Sequence, residues 1–164
     1  MAIILIAACA GARQIIGDKG RLPWHFSSDL KFFKQTTLDG IVLMGRATYD
    51  AILAQFGRPL PRRRHLIVSR DASYRPEGTE VFASIPAALA AVPPGEDVYV
   101  AGGSQVYAQT LPLADTVLLT HIDAEITGDA AFPTLDPAVW QASETNRVVE
   151  NGVTLRFCRY QRQY

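Results

Sequence analysis

From Ala2 to Ala10 the chain has no polar break except the thiol of Cys9. That run constrains the fold more than any other segment. It is too short to span a membrane and unbroken by the alternation of a half-exposed strand. It therefore predicts a central strand covered on both faces, the kind found in parallel sheets flanked by helices. The rest of the chain fits that frame. Gly11 to His25 is a long loop punctuated by Gly11, Gly17, Gly20 and Pro23, and loops of such length in compact domains usually serve function. Ser27 or Ser28 is expected to cap a helix to about Leu38. Ile41 to Met44 reads as a buried strand that turns at Gly45-Arg46 into a helix over Thr48 to Leu53. His65 to Ser69 is a strand, and Ser84 caps an alanine-rich helix to about Val92 that Pro93-Pro94-Gly95 ends. Val98 to Ala101 is a strand, followed beyond Gly102-Gly103 by a helix to about Thr110. Thr116 to Ile122 is a strand, and Val139 to Glu150 and Val153 to Gln161 form a hairpin about Asn151-Gly152. The fold class expected is α/β, with a mostly parallel central sheet, helices on both faces and a C-terminal antiparallel hairpin. Residues 1–164 are expected to form a single domain.

Charge narrows the function. Lys plus Arg and Asp plus Glu each number 16, which argues against a nonspecific nucleic-acid binder. Apolar residues at 48% and charged residues at 20% exclude wholesale disorder. Ile6-Ala7-Ala8-Cys9 superficially resembles a lipoprotein cleavage site, but no basic residue precedes it and the apolar run is too short for a signal segment. A cytoplasmic protein without a membrane partner is expected. Cys9 and Cys158 read as two buried thiols rather than a disulfide framework. His25, His65 and His121 show no metal-ligand spacing, so no metal is expected.

In such sheets ligands bind beyond the carboxyl ends of the strands, and three places there carry polar or glycine signals. Met44-Gly45-Arg46-Ala47-Thr48 opens a helix, where free N–H groups, a hydroxyl and a guanidinium suit a phosphate; an ordinary strand-to-helix turn would look the same. Ala101-Gly102-Gly103-Ser104 lets backbone approach a ligand closely, or merely lets helix and sheet pack. Two such turns on one edge favour a dinucleotide, although GxGxxG is absent. Asp29 stands in the first turn of a helix behind Pro23-Trp24. It either complements the helix dipole or faces an apolar pocket, where a carboxylate holds an amidine-like ring edge by two parallel hydrogen bonds. Arg58, Arg62, Arg63 and Arg64 surround Pro59 and Pro61; one arginine turned inward would clamp a substrate carboxylate. Arg70 could meet an additional phosphate.

Taken in order, Ile16-Gly17, Leu22-Pro23-Trp24, Asp29-Leu30 with Phe33-Lys34, Met44-Gly45-Arg46 with Thr48, Gly57-Arg58-Pro59-Leu60-Pro61, Ala101-Gly102-Gly103, Val106-Tyr107, Thr120-His121-Ile122 and Asp129 with Phe132-Pro133 resemble dihydrofolate reductase of the bacterial chromosomal type over essentially the whole chain. The resemblance implies NADPH-dependent reduction of dihydrofolate to tetrahydrofolate, supplying one-carbon metabolism, in an antifolate target; a monomer is expected because no unclaimed amphipathic element demands a partner. The resemblance places Asp29, Leu22, Trp24 and Thr120 at the catalytic centre. Ile6, Ala7, Ala8, Leu30, Phe33, Ile52 and Leu60 would line the pterin and aminobenzoyl pocket. Arg63 would grip the α-carboxylate of the glutamate tail, with Arg58 near its outer part. Ala8, Ile16, Gly17, Gly20, Leu22, Gly45, Arg46, Ala47, Thr48, Ser69, Arg70, Ala101, Gly102, Gly103, Ser104, Gln105, Val106 and Tyr107 would hold NADPH, with a cis peptide at Gly102-Gly103.

The chain departs from the family pattern in places. Ser104 stands where a glycine or alanine is frequent, Gln105 where a basic residue is, Tyr49 for a tryptophan and Leu22 for a methionine. Leu53 to Phe56 reads as a short insertion. The rivals are a reductase of a pyrimidine or riboflavin precursor, which need not carry Asp29, Phe33 and Arg63 together, and a nucleotide-binding module without turnover.

Overall fold

The computed structural model describes residues 1–19 and 22–164. Gly20 lies outside the described residues. The expected first strand is β1 (Ile3–Ala10). Leu5 and Cys9 face one side of it and Ala8 and Ala10 the other, all among buried neighbours, which explains the unbroken apolar run. With β2 (Ile15–Gly17), β3 (Ile41–Gly45), β4 (Arg64–Val68), β5 (Glu80–Phe82), β6 (Val98–Val100), β7 (Thr116–Ile122), β8 (Ala130–Ala131), β9 (Trp140–Glu150) and β10 (Val153–Arg162) it builds one sheet. The order is β5-β4-β3-β6-β1-β7-β10-β9. From β5 to β7 all pairs are parallel, and β10 and β9 close the edge antiparallel.

Four helices cover the sheet: α1 (Ser27–Thr37), α2 (Arg46–Phe56), α3 (Ile85–Ala90) and α4 (Ser104–Thr110). Val42 and Met44 of β3 pack on Tyr49, Ile52 and Leu53 of α2. Leu43, between them, points to the other face, where Ile85 and Ala88 of α3 and Val106 and Tyr107 of α4 lie. The β9–β10 hairpin turns at Asn151 and Gly152, both at positive φ (51° and 75°), as a two-residue type I′ turn requires. No described helix is long and apolar enough to cross a membrane.

The structure corrects several expectations. The Gly11–His25 segment is not all loop, because β2 pairs with β1 at Ala10 and Ile15 and with β8. Three residues are too few to show a period, and the cue was only the branched pair Ile15-Ile16. Neither serine caps α1 with its own side chain; Phe26 holds the N-cap position. α2 begins at Arg46 rather than Thr48 and absorbs Leu53 to Phe56. The apparent insertion is one more helical turn, stopped by Gly57 at φ 72°, whose N–H donates to Leu53 O at 2.8 Å. Both thiols are free, yet only Cys9 is buried and Cys158 is half-buried.

Candidate active site

Register assembles the site's floor. Ala8 of β1 and Phe157 of β10 both pair with Thr120 of β7, so the three side chains stand in one row on one face. α1 packs on that face through Phe32, whose ring meets Phe157 at 5.0 Å between centroids. Asp29, one turn earlier on α1, is directed toward Thr120. Burial pushes its carboxyl from the ordinary 3.8 up to about 6. The hydrogen bond of the Thr120 hydroxyl pulls it down, and the nearby Glu150 carboxylate adds to the rise. At neutral pH the group is mostly ionised in a largely apolar surround.

Substrate-side residues expected from the sequence take two walls and a rim. Leu30 and Phe33 are half-buried on α1, Ile52 is half-buried on α2, and Leu60 is buried between α2 and β4. The N–H of Leu60 donates to Nε2 of the buried His65 at 3.3 Å. Three consecutive arginines separate in direction. Arg62 forms a two-point pair with Asp39 (2.9 and 2.6 Å), and Arg64 does so with Glu80 (2.6 and 2.9 Å). Arg63 turns in under α1. Its Nε donates to Thr37 Oγ1 at 3.1 Å and one terminal nitrogen to Pro61 O at 2.6 Å, while the other terminal nitrogen donates to Lys34 O. A guanidinium has five N–H bonds, so one remains free on each terminal nitrogen. Those two N–H bonds are left for an incoming carboxylate. Arg58 is exposed on the same rim.

On the other side two glycine turns meet. The Gly45 N–H donates to Gly102 O at 2.9 Å, and the Ala101 N–H to Leu43 O at 2.9 Å. The Gly102–Gly103 peptide is cis. A Cβ built at Gly102, whose φ is 125°, would lie 3.2 Å from Thr48 Oγ1, and one at Gly45 3.3 Å from Val106 Cγ2. A side chain at either position would crowd its neighbour, and at Gly102 the positive φ would strain it as well. α2 begins at this edge with no side chain capping its free N–H groups. Ser104, Gln105 and Ala47 flank the turns, and Val106 and Tyr107 are buried beneath them. Arg46 is already engaged. It pairs with Asp71 at 3.1 Å and Asp50 at 3.6 Å and stacks 4.2 Å over the Tyr74 ring. Ser69 is half-buried at the end of β4 and Arg70 is exposed beside it.

Of the loop residues, Ile16 packs on the main core and Trp24 on the smaller cluster of Ala10, Ile122, Leu155 and Phe157. Gly17 accepts the Asp129 N–H at 3.1 Å. Leu22 is 61% exposed. Glu150 was not anticipated as part of the site. It lies 123 residues from Ser27, whose N–H it accepts, and nothing local in the sequence marks it. A further cleft of about 390 Å³ lies between Gly11-Ala12 and Asp123-Ala124-Glu125. Asp29 is not among the residues that line it, and Arg156, which is, already pairs with Asp123 at 3.1 Å.

A mostly parallel sheet with paired glycine turns on its carboxyl edge, and a half-buried carboxylate on the helix that packs on it, defines an α/β enzyme. Comparison with known proteins agrees. The family model for dihydrofolate reductase matches residues 2–162. Dihydrofolate reductase of Neisseria meningitidis is 40% identical over 162 residues, 98% of each chain, and the type 3 enzyme of Salmonella typhimurium is 45% identical over 144 residues, 88% of this chain and 86% of that one. The solved structure of dihydrofolate reductase from Enterococcus faecalis, complexed with NADP(H) and RAB-propyl, superimposes with a TM-score of 0.89 at 32% identity, covering 99% of this chain and 97% of that one. The chain belongs to the dihydrofolate reductase family, whose members are NADPH-dependent oxidoreductases.

Proposed function

We propose that this chain is a cytoplasmic, monomeric enzyme that reduces 7,8-dihydrofolate to 5,6,7,8-tetrahydrofolate, a hydride going to C6 and a proton to N5. The observation that carries the reading is Asp29, a half-buried carboxylate on α1 beside Thr120 whose burial raises it to about 6. The bare backbone at Gly45, Gly102 and Gly103 and the uncapped start of α2 suit the pyrophosphate of NADPH, since glycine lets the backbone approach a ligand closely. When bound, NADPH supplies the hydride.

The protein's own groups do the rest. Ionised Asp29 accepts hydrogen bonds from the 2-amino group and adjacent ring nitrogen of the pterin, and its dry setting strengthens that pairing. Thr120 orients the acid. Because Asp29 grips the edge opposite N5, it acts through its charge, raising the ring's affinity for a proton that water delivers. Leu30, Phe33, Ile52 and Leu60 exclude solvent from the rings, Arg63 offers its two free N–H bonds to the glutamate α-carboxylate, and Arg58 lies near the outer part of the tail. Ile16, Gly17 and Leu22, expected from the sequence to belong to a loop over the nicotinamide, are assigned to the cofactor side.

The test follows absorbance in the nicotinamide band with dihydrofolate, comparing NADPH with NADH, for the native chain and Asp29→Asn. Turnover with NADPH is expected. The variant should be slowed most at neutral pH and recover partly in acid. Absence of turnover sinks the assignment, and a variant rate equal to the native one at every pH removes Asp29 from the mechanism.

A further inference from the structure

Glu150 is the last residue of β9, and its carboxylate reaches across to the first turn of α1. It accepts the N–H of Ser27 at 2.8 Å and of Ser28 at 2.9 Å, and the hydroxyls of Ser28 at 2.7 Å and Ser27 at 3.3 Å. α1 has no side-chain cap of its own, so an acid from the far end of the chain satisfies N–H groups that a helix start leaves orphaned. Asp29 is the next residue.

We infer that Glu150 is a positioning residue for Asp29: by tying Ser27 and Ser28 it fixes the first turn of α1 and sets a permanent negative charge beside the carboxylate. The inference rests on the reading of Asp29 given above. Rigid backbone at residues 27 and 28 fixes where the Asp29 side chain starts, and errors of an ångström at a hydride-transfer site are costly. The charge is permanent because the bonds from Ser28 and Ser27 hold the Glu150 carboxyl down at about 2, so it stays ionised wherever Asp29 titrates. The other titratable groups around Asp29 do not compete. Burial pushes the Cys9 thiol on β1 up to about 12 and the Tyr107 phenol on α4 upward as well, leaving both neutral, and the Thr120 hydroxyl on β7 does not titrate. Glu150 therefore raises the proton affinity of Asp29, and because it lies near solvent that influence is screened by salt.

The experiment follows the Asp29 carboxyl by ¹³C NMR across pH in the ligand-free protein, beside the pH profile of turnover, for the native chain, Glu150→Gln and Glu150→Ala. In Glu150→Gln the Asp29 midpoint should fall by a few tenths of a pH unit, with the gap from native shrinking as salt is added. Glu150→Ala should show the same fall and lose several-fold more kcat/KM, because nothing then caps α1. A helix clip without electrostatic reach would lower stability yet leave the midpoint in place, and that result overturns the inference. If neither variant folds, the native midpoint decides: it should move down with added salt, and an immobile midpoint overturns the inference equally. If the pH profile of Asp29→Asn matches the native one, the reading of Asp29 fails; if only the Glu150 variants leave it unmoved, the positioning role fails alone.

Discussion

Tyr107 donates its hydroxyl to the backbone carbonyl of Ile6 at 2.7 Å, in a fully buried contact. The bond ties α4 to the central strand. A Cβ at Gly102 would lie 3.5 Å from the same hydroxyl, so one side chain joins β1, α4 and a glycine turn. Tyr107→Phe keeps the ring on Phe132, 5.0 Å between centroids, but leaves the Ile6 carbonyl without its partner. That should cost about 1–3 kcal/mol. The urea midpoint should fall with the slope m unchanged. A midpoint equal to native would mean that water or another donor replaces the phenol.

Asp29 works at the expense of the fold. Its folded-state value of about 6 lies above the ordinary 3.8, so the folded chain keeps this proton to higher pH than the unfolded one. The stabilisation is complete below the ordinary value and disappears as pH rises through about 6. At pH 8 the ionised, half-buried group destabilises the ligand-free protein by up to about 3 kcal/mol. An amide cannot ionise, so the Asp29→Asn variant should melt higher than native at pH 8 and no higher near pH 3.5. Thermal melts of the ligand-free protein across pH check this, and a constant gap would show that the gain has another source.

What the sequence made legible was what depends on neighbours along the chain. The apolar run of β1, the Asn151-Gly152 turn and the glycines at the ends of β3 and β6 each carry a local cue, and Ser84 caps α3 by bonding Ala87 N at 3.2 Å. Asp29, Thr120 and the two glycine turns could be named because the family resemblance ordered them, although their individual cues were ambiguous. The losses were contacts between distant segments. Ser27 and Ser28 looked like caps because serine usually caps; Glu150 supplies the acceptor instead, and only β9–β10 pairing brings it there. Likewise β8 pairs with β2, and a two-residue strand has no period to read. Arg46 looked free for a phosphate because Asp71, its partner here, lies 25 residues on.

Arg63 should separate tail recognition from ring chemistry. Its anchors on Thr37, Lys34 and Pro61 leave two N–H bonds free. A two-point charge-assisted pair is worth about 1.5–3 kcal/mol, so Arg63→Met should raise KM for dihydrofolate roughly 10- to 150-fold with kcat little changed. Lysine in its place should recover only part, since one ammonium cannot satisfy three anchors and a carboxylate. The control is a dihydropterin lacking the glutamate tail. Equal losses on both substrates would show that Arg63 shapes the pocket rather than gripping the tail.

Gly128 tests the coupling of β2 and β8. A Cβ there would lie 2.4 Å from Ile15 Cγ2 and 2.5 Å from Gly17 O, both on β2, so Gly128→Ala must push the two segments apart. The displaced bonds are the Asp129 N–H to Gly17 O at 3.1 Å and the Lys19 N–H to the Asp129 carboxylate at 3.1 and 3.2 Å. The large buried core around β1, β3 and β7 does not involve them, so the chain should still fold, with stability lower by about 1–3 kcal/mol. On the proposed reading, displacement of β2 moves Ile16 and Gly17, assigned to the cofactor side, while Asp29 and Arg63 keep their supports. Fluorescence titration should therefore show NADPH binding weakened several-fold and dihydrofolate binding near native. The opposite pattern, with dihydrofolate affected first, would place β2 against the substrate instead.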